Sequence, residues 1–257
     1  MNLPPTILYE KRERVAIVTI NRPERLNACT TEMYDALYAV FDDFNADEEL
    51  WVAILTGAGE RAFSAGGDLD EAIPRITAGE YKINVDPTKR IFCDVFKPII
   101  CAVNGVCIAG GVELMLGTDL RIAAEHATFS LGEVQWGMVP AGGSHIRLTR
   151  QIPWAVAMEM LLAARQIDAR RAYDVGLVNQ VVPLDQLMPA ALELAEVVCK
   201  NGPLAVRTAK EIAVRSLNLE PGFVLEATLA ARVLNSEDAR EGPRAFMEKR
   251  RPRFTGR

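Results

Sequence analysis

The chain has 257 residues, 49% of them hydrophobic, and a formal net charge of −5. That is enough apolar material for a sizeable core, and the acidic balance argues against general binding to nucleic acid or anionic membranes. No stretch reaches the roughly 18 uncharged apolar residues of a membrane helix, and residues 1–14 carry neither an apolar signal core nor an Arg/Ser-rich transit pattern, so a cytoplasmic location is expected.

Residues 15–21 (VAIVTIN) form a β-branched run that predicts a strand, closed by Arg22-Pro23. Over residues 31–44, Met33, Leu37, Val40, Phe41 and Phe44 recur on one helical face. Strand runs follow at 51–56, 98–103 and 120–124, with a short one around Phe129. Segment 79–97 is mixed and charged, which predicts irregular or helical structure. From Trp154 the pattern is helical, interrupted by one strand at 179–182, and beyond Leu184 only helical periods remain, around 187–200, 204–216, 222–235 and 239–250. Strands alternating with helices, then an all-helical tail, predict an α/β core with a helical extension. The expected division is a core over 1–198 and a helical oligomerisation region over 199–257.

Two glycine-rich turns follow two of these strands: Ser64-Ala65-Gly66-Gly67-Asp68 after 51–56 and Ala109-Gly110-Gly111-Val112-Glu113 after 98–103. Glycine lets the backbone turn tightly and brings its N–H close to a ligand. Two such N–H groups aimed at one point would hold a developing oxyanion, and Glu113 and Glu133 would move protons beside it. The combination points to chemistry on a carbonyl compound. Glu113 also fits a plainer role, complementing the macrodipole at a helix start, and Glu133 fits an exposed loop before Pro140-Ala141-Gly142-Gly143. Neither plainer role accounts for the glycines.

Other signals lead nowhere. Gly57-Ala58-Gly59-Glu60-Arg61-Ala62 mimics a dinucleotide fingerprint, but Phe63-Ser64-Ala65-Gly66-Gly67 follows at once where a helix should open. Neither GxxxxGK[ST] nor GxSxG occurs. His126 and His145, the only histidines, lack partners at metal-ligand spacing, so no metal is expected. His145 follows Gly142-Gly143 and could approach the candidate pocket, but it fits better a plain role as a polar helix-start residue. Five cysteines without a CxxC pair fit free core thiols in a reducing compartment.

Several segments in order resemble the crotonase superfamily, the enoyl-CoA hydratase/isomerase family, from residue 15 to 257. They are Asn21-Arg22-Pro23-Glu24-Arg25-Leu26-Asn27-Ala28, FSAGGDL (63–69), Ala102-Val103-Asn104-Gly105, AGGVEL (109–114), LGEVQWGMVP (131–140) and the tail from Ser236-Glu237-Asp238 to Lys249-Arg250. The resemblance implies a spiral of ββα units with a helical C-terminal region, assembled as a homotrimer or homohexamer. It implies that the N–H groups of Gly67 and Gly110 bind the thioester oxygen of an acyl-CoA. Glu113 as base and Glu133 as acid would then add water across the C2–C3 double bond of a 2-enoyl-CoA. It further implies CoA contacts by Arg25, Ala28, Ala65, Gly66, Asp68, Leu69, Phe246 and Lys249, with no separate cofactor because coenzyme A is part of the substrate. Isomerase or other enolate chemistry, and a role in binding RNA or a partner, are the alternatives. The turn at 140–143 is one residue shorter than in some family hydratases, which leaves acyl preference open.

Overall fold

The structure is a computed structural model that describes residue 1, residues 3–82 and residues 85–256. The chain opens with β1 (Ile7–Arg12) and β2 (Val15–Ile20), then a 3-10 turn at Pro23–Arg25 and α1 (Thr31–Ala46). Next come β3 (Val52–Gly57), β4 (Ala62–Ser64) and α2 (Ala72–Thr77), followed by β5 (Ile99–Val103), β6 (Val106–Ile108) and α3 (Gly110–Leu116). The third such pair is β7 (Leu120–Ala124) and β8 (Thr128–Ser130), leading to a 3-10 turn at Glu133–Trp136, α4 (Ser144–Gln151) and α5 (Trp154–Ala163). The rest is β9 (Ile167–Asp168), α6 (Ala169–Asp174), β10 (Gln180–Val182), α7 (Leu184–Cys199), α8 (Pro203–Ser216), α9 (Glu220–Leu234) and α10 (Glu237–Met247).

The strands sort into two sheets, ordered β1-β2-β3-β5-β7-β10 and β4-β6-β8-β9. Consecutive strands alternate between them: β3, β5 and β7 lie in the large sheet, and β4, β6 and β8 in the small one. This is the expected spiral of ββα units. β3 and β5 are buried along their whole length, as strands of a parallel sheet covered on both faces must be. Ala53 and Leu55 face the main core with α1, whereas Val52 and Ile54 pack with Leu187, Ala191 and Ala195 of α7.

α1 runs close to its expected span because its apolar face buries Met33, Leu37, Val40, Phe41 and Phe44, and the Thr30 side chain caps it by accepting from the Met33 N–H at 3.3 Å. Several elements differ from expectation. β1 is a strand although its second half is Glu10-Lys11-Arg12; it is an edge strand with one partner, so its charges stay in water. β4, β6 and β9 were not anticipated, since two or three residues are too short to show a period. No helix opens after Gly57-Ala58-Gly59; the chain runs into β4. The described part of segment 79–97 holds no regular element, and Ile83 and Asn84 lie outside the described residues. Among the described residues no helix is long and apolar enough to cross a membrane.

Candidate active site

Three parallel strands bring the site together. β4 pairs with β6 (Ser64 against Cys107) and β6 with β8 (Ile108 against Ser130). The turns that leave their ends therefore emerge side by side. They carry Gly66-Gly67, Gly110 and Glu133, residues far apart in sequence.

The two glycine turns touch. A Cβ on Gly66 would fall 2.6 Å from the Gly110 nitrogen, and one on Gly110 would fall 3.4 Å from the Gly67 nitrogen. Only glycine permits that approach. Gly67 forms an isolated parallel bridge with Cys29, in which the Cys29 N–H donates to the Gly66 carbonyl at 2.7 Å and the Asp68 N–H to the Cys29 carbonyl at 2.8 Å. Those bonds use the groups flanking Gly67, so its own N–H points away from Cys29. The Gly110 N–H is an orphan donor at the start of α3. Among the described residues neither N–H has a hydrogen-bond partner within the chain. Ala109 sits at φ 51°, ψ −124°, a region that costs a residue with a side chain about 1–3 kcal/mol. Its N–H donates to the Ser130 carbonyl at 3.0 Å and its carbonyl accepts from the Glu113 N–H at 3.2 Å, which hold it there.

Glu113 lies one turn into α3. Its Oε1 accepts from the Gly142 N–H at 2.5 Å and from the Ser144 hydroxyl at 3.4 Å. Burial pushes its carboxyl up to about 7, helped by the negative charge of Glu226 and opposed by the Gly142 N–H, His145 and Ser144. Glu133 starts the 3-10 turn after β8, and its Oε2 is buried without a hydrogen-bond partner. Burial, then the charge of Glu113, pushes Glu133 up to about 8. The two carboxyls feel each other's charge, so they titrate as a pair, and a buried, unpartnered carboxyl oxygen marks a place where a proton or a ligand belongs.

The other sequence candidates are divided. Ala65 and Leu26 are tied by the Ala65 N–H donating to the Leu26 carbonyl at 2.9 Å, which sets the 3-10 turn holding Arg25 beside the first glycine turn; Ala28 and Leu69 are partly exposed along it. The Arg25 guanidinium is exposed and pairs with Asp70 at 2.7 Å. The Asp68 carboxylate is already committed: Oδ2 accepts from Arg22, and Oδ1 from the N–H groups of Asp70 and Glu71 at 2.8 and 3.0 Å. Only its backbone is left for a ligand. Phe246 packs edge-on against Trp136 at 4.8 Å, and Lys249 is exposed just beyond α10. Within one chain, among the described residues, neither makes a hydrogen bond or ring contact with Arg25 or the 64–69 turn.

Sequence reasoning missed two neighbours. Tyr34 of α1 is 4% exposed, and its hydroxyl would lie 2.8 Å from a Cβ on Gly110; on the α1 face it reads as one more core aromatic. Gly142 was seen only as a turn residue, 29 positions from the carboxylate it serves. His145 does lie in the first turn of α4, and there its N–H and Nδ1 meet Glu226.

Residues 10–257 match the family model described as enoyl-CoA hydratase/isomerase. Enoyl-CoA hydratase EchA19 of Mycobacterium tuberculosis is 41% identical, over 98% of this chain and 97% of that protein. Carnitinyl-CoA dehydratase of Proteus mirabilis is 39% identical, over 96% of this chain and 97% of that one. The solved structure of EchA1_1 from Mycobacterium paratuberculosis superposes with a TM-score of 0.90 at 37% identity, covering 99% of this chain and 100% of the other. A match that runs almost the full length in sequence and in fold makes this chain a member of the enoyl-CoA hydratase/isomerase family.

Proposed function

We propose that the protein is an enoyl-CoA hydratase, a lyase that adds water across the C2–C3 double bond of a 2-enoyl-CoA thioester. The observation that carries this reading is the pair of recessed carboxyls, both held well above the usual carboxylate range, beside two glycine N–H groups without partners. One acid suffices to move a proton between two carbons. Two suit a reaction that takes a proton from water and gives another to carbon.

In this reading the thioester oxygen lies between the N–H groups of Gly67 and Gly110. Water attacks C3 while Glu113 takes its proton, and the π electrons move toward the thioester oxygen as an enolate. The two N–H donors stabilise that charge; losing one such donor typically costs on the order of a hundredfold or more. The enolate collapses as protonated Glu133 delivers its proton to C2, giving the 3-hydroxyacyl thioester. Proton transfer by positioned carboxyls contributes roughly a hundred- to ten-thousandfold. Burial raises both carboxyls, and each is held where it can carry a proton near neutral pH.

CoA is part of the substrate, and no separate cofactor enters the reaction. Arg25 and the backbone of Ala28, Ala65, Gly66, Asp68 and Leu69 line its path. Phe246 and Lys249 serve its far end, and the helical region over 199–257 builds a cytoplasmic homotrimer or homohexamer. The testing experiment follows loss of the enoyl-thioester absorbance of crotonyl-CoA, with Glu133→Gln alongside. Rapid loss with the wild type and not with Glu133→Gln supports hydration. No loss despite measurable binding of CoA esters overturns it in favour of another enolate reaction.

A further inference from the structure

Glu226 of α9 joins three segments far apart in sequence. It is 5% exposed, and its partner Arg90 is 3% exposed. The Arg90 Nε donates to Glu226 Oε2 at 3.1 Å while its Nη2 donates to the Phe223 carbonyl at 2.8 Å. Glu226 Oε1 accepts from the His145 backbone N–H at 3.2 Å and lies 3.1 Å from His145 Nδ1. One carboxylate oxygen is thus committed to a guanidinium and the other to the start of α4. Just upstream, Gly142 and Ser144 make their bonds to Glu113. Gly143 between them has φ 105°, and a Cβ there would fall 3.2 Å from Arg90 Cγ and 3.3 Å from Phe223 Cε1. The turn is pressed onto the same cluster.

A fold staple alone does not account for this arrangement. A buried ion pair is often no more stabilising than apolar residues of the same volume. What an apolar pair would not do is receive the His145 N–H. With that bond made, Gly142 and Ser144 are both held against Glu113 Oε1.

We propose that Glu226 is a positioning residue for Glu113: anchored by Arg90, it fixes the turn 142–145 so that Glu113 Oε1 is held and the carboxyl is aimed to take the proton from water. The proton transfer rests on the hydratase reading; the anchoring of the turn does not. The charged and titratable groups that act on Glu113, or on which it acts, are Glu226 from α9, His145 from α4, Glu133 from its 3-10 turn, and Tyr34 and Tyr38 from α1; Arg90 and Arg147 act on Tyr38 in turn. Of these, Glu226 is the negative charge that adds most to the effect of burial on Glu113.

Two variants separate the parts of this role. Glu226→Gln keeps an acceptor for the His145 N–H and removes the charge. Arg90→Met/Glu226→Leu removes the anchor and leaves no buried charge unpaired. Each is measured by kcat and KM on crotonyl-CoA across pH, and by the carbon-13 titration of the Glu113 carboxyl, assigned with Glu113→Gln. In Glu226→Gln the Glu113 titration and the acid limb of the rate move to lower pH. In the double variant kcat falls on the order of tenfold to a hundredfold, as misplacement by about an ångström does, while KM changes little. An unchanged Glu113 titration in Glu226→Gln together with wild-type kcat in the double variant overturns the proposal. Should Glu226→Gln not fold, because Arg90 is left unpaired, the double variant decides by the same two readouts. A wild type that does not turn over crotonyl-CoA but whose Glu113 titration responds to Glu226 sinks the hydratase reading and leaves the positioning role standing.

Discussion

The Gly142 N–H donates to Glu113 Oε1 at 2.5 Å, and a Cβ on Gly142 would collide with the same carboxyl group. The donor must approach so closely that no side chain fits beside it. Gly142→Ala is therefore expected to displace Glu113 while leaving the fold intact, because the turn lies at the surface of the site rather than in the core. Turnover of crotonyl-CoA should fall on the order of a hundredfold, with an unchanged circular dichroism spectrum. Wild-type kcat in Gly142→Ala would mean that the bond has no part in catalysis.

The rate should depend on pH at both ends. A base pushed up to about 7 must lose its proton to act, and an acid pushed up to about 8 must keep its own. The profile of kcat/KM is expected to be a bell that rises through the first value and falls through the second, as macroscopic constants of the pair. Glu113→Gln and Glu133→Gln should each cut kcat at least about a hundredfold. A rate flat across this range would remove both carboxyls from the proton transfers.

The same burial makes a prediction about stability. Glu133 has a higher proton affinity folded than unfolded, so its contribution is fully present below the ordinary carboxylate value of 4.5 and is lost as pH rises through about 8. Glu133→Gln is neutral at every pH and escapes that loss. Its melting temperature should match the wild type near pH 4 and exceed it near pH 9, the gap opening between those values. A gap that is constant with pH would mean that Glu133 is not held above its unfolded value.

What the sequence discloses follows from range. The β-branched runs at 15–21, 51–56 and 98–103 announce their strands because parallel strands covered on both faces need nearly continuous apolar residues. The glycine turns and Glu113 are legible because strand, turn and helix start are contiguous. Glu133 is legible only in combination with the glycine turns and through resemblance, since nothing local distinguishes it from an exposed loop residue; the 3-10 turn that carries it is packed by α10, where Gly242 lies directly on the Trp136 carbonyl. Arg90 and Glu226 are separated by 136 residues and look like solvated charges. Their pairing depends on where α9 lands, which no local pattern encodes.

Arg22 and Asp68 support the remaining prediction. Asp68 directly follows Gly67, and its carboxylate takes Arg22 on one oxygen and two N–H groups on the other. Arg22 also donates to the Ala28 carbonyl at 3.1 Å, so one guanidinium ties the 22–28 turn to the glycine turn. Burial pushes Asp68 up, but Arg22 and the two N–H donors outweigh it and hold the carboxyl below its usual range. Its contribution is therefore present above the ordinary aspartate value and lost as pH falls through the lowered one. Asp68→Ala strands the N–H donors and Arg22, at a cost of about 1–3 kcal/mol, read as a lower urea midpoint with unchanged slope. Because the Gly67 N–H is aimed by the backbone that Asp68 anchors, kcat should fall further than this loss of stability alone implies, in protein that is still fully folded at the assay temperature. Asp68→Asn, which keeps an acceptor for the two N–H groups and gives up the ion pair, should fall between the two. If Asp68→Ala lowers the urea midpoint and leaves kcat at the wild-type value, the ion pair stabilises the fold without orienting the Gly67 donor.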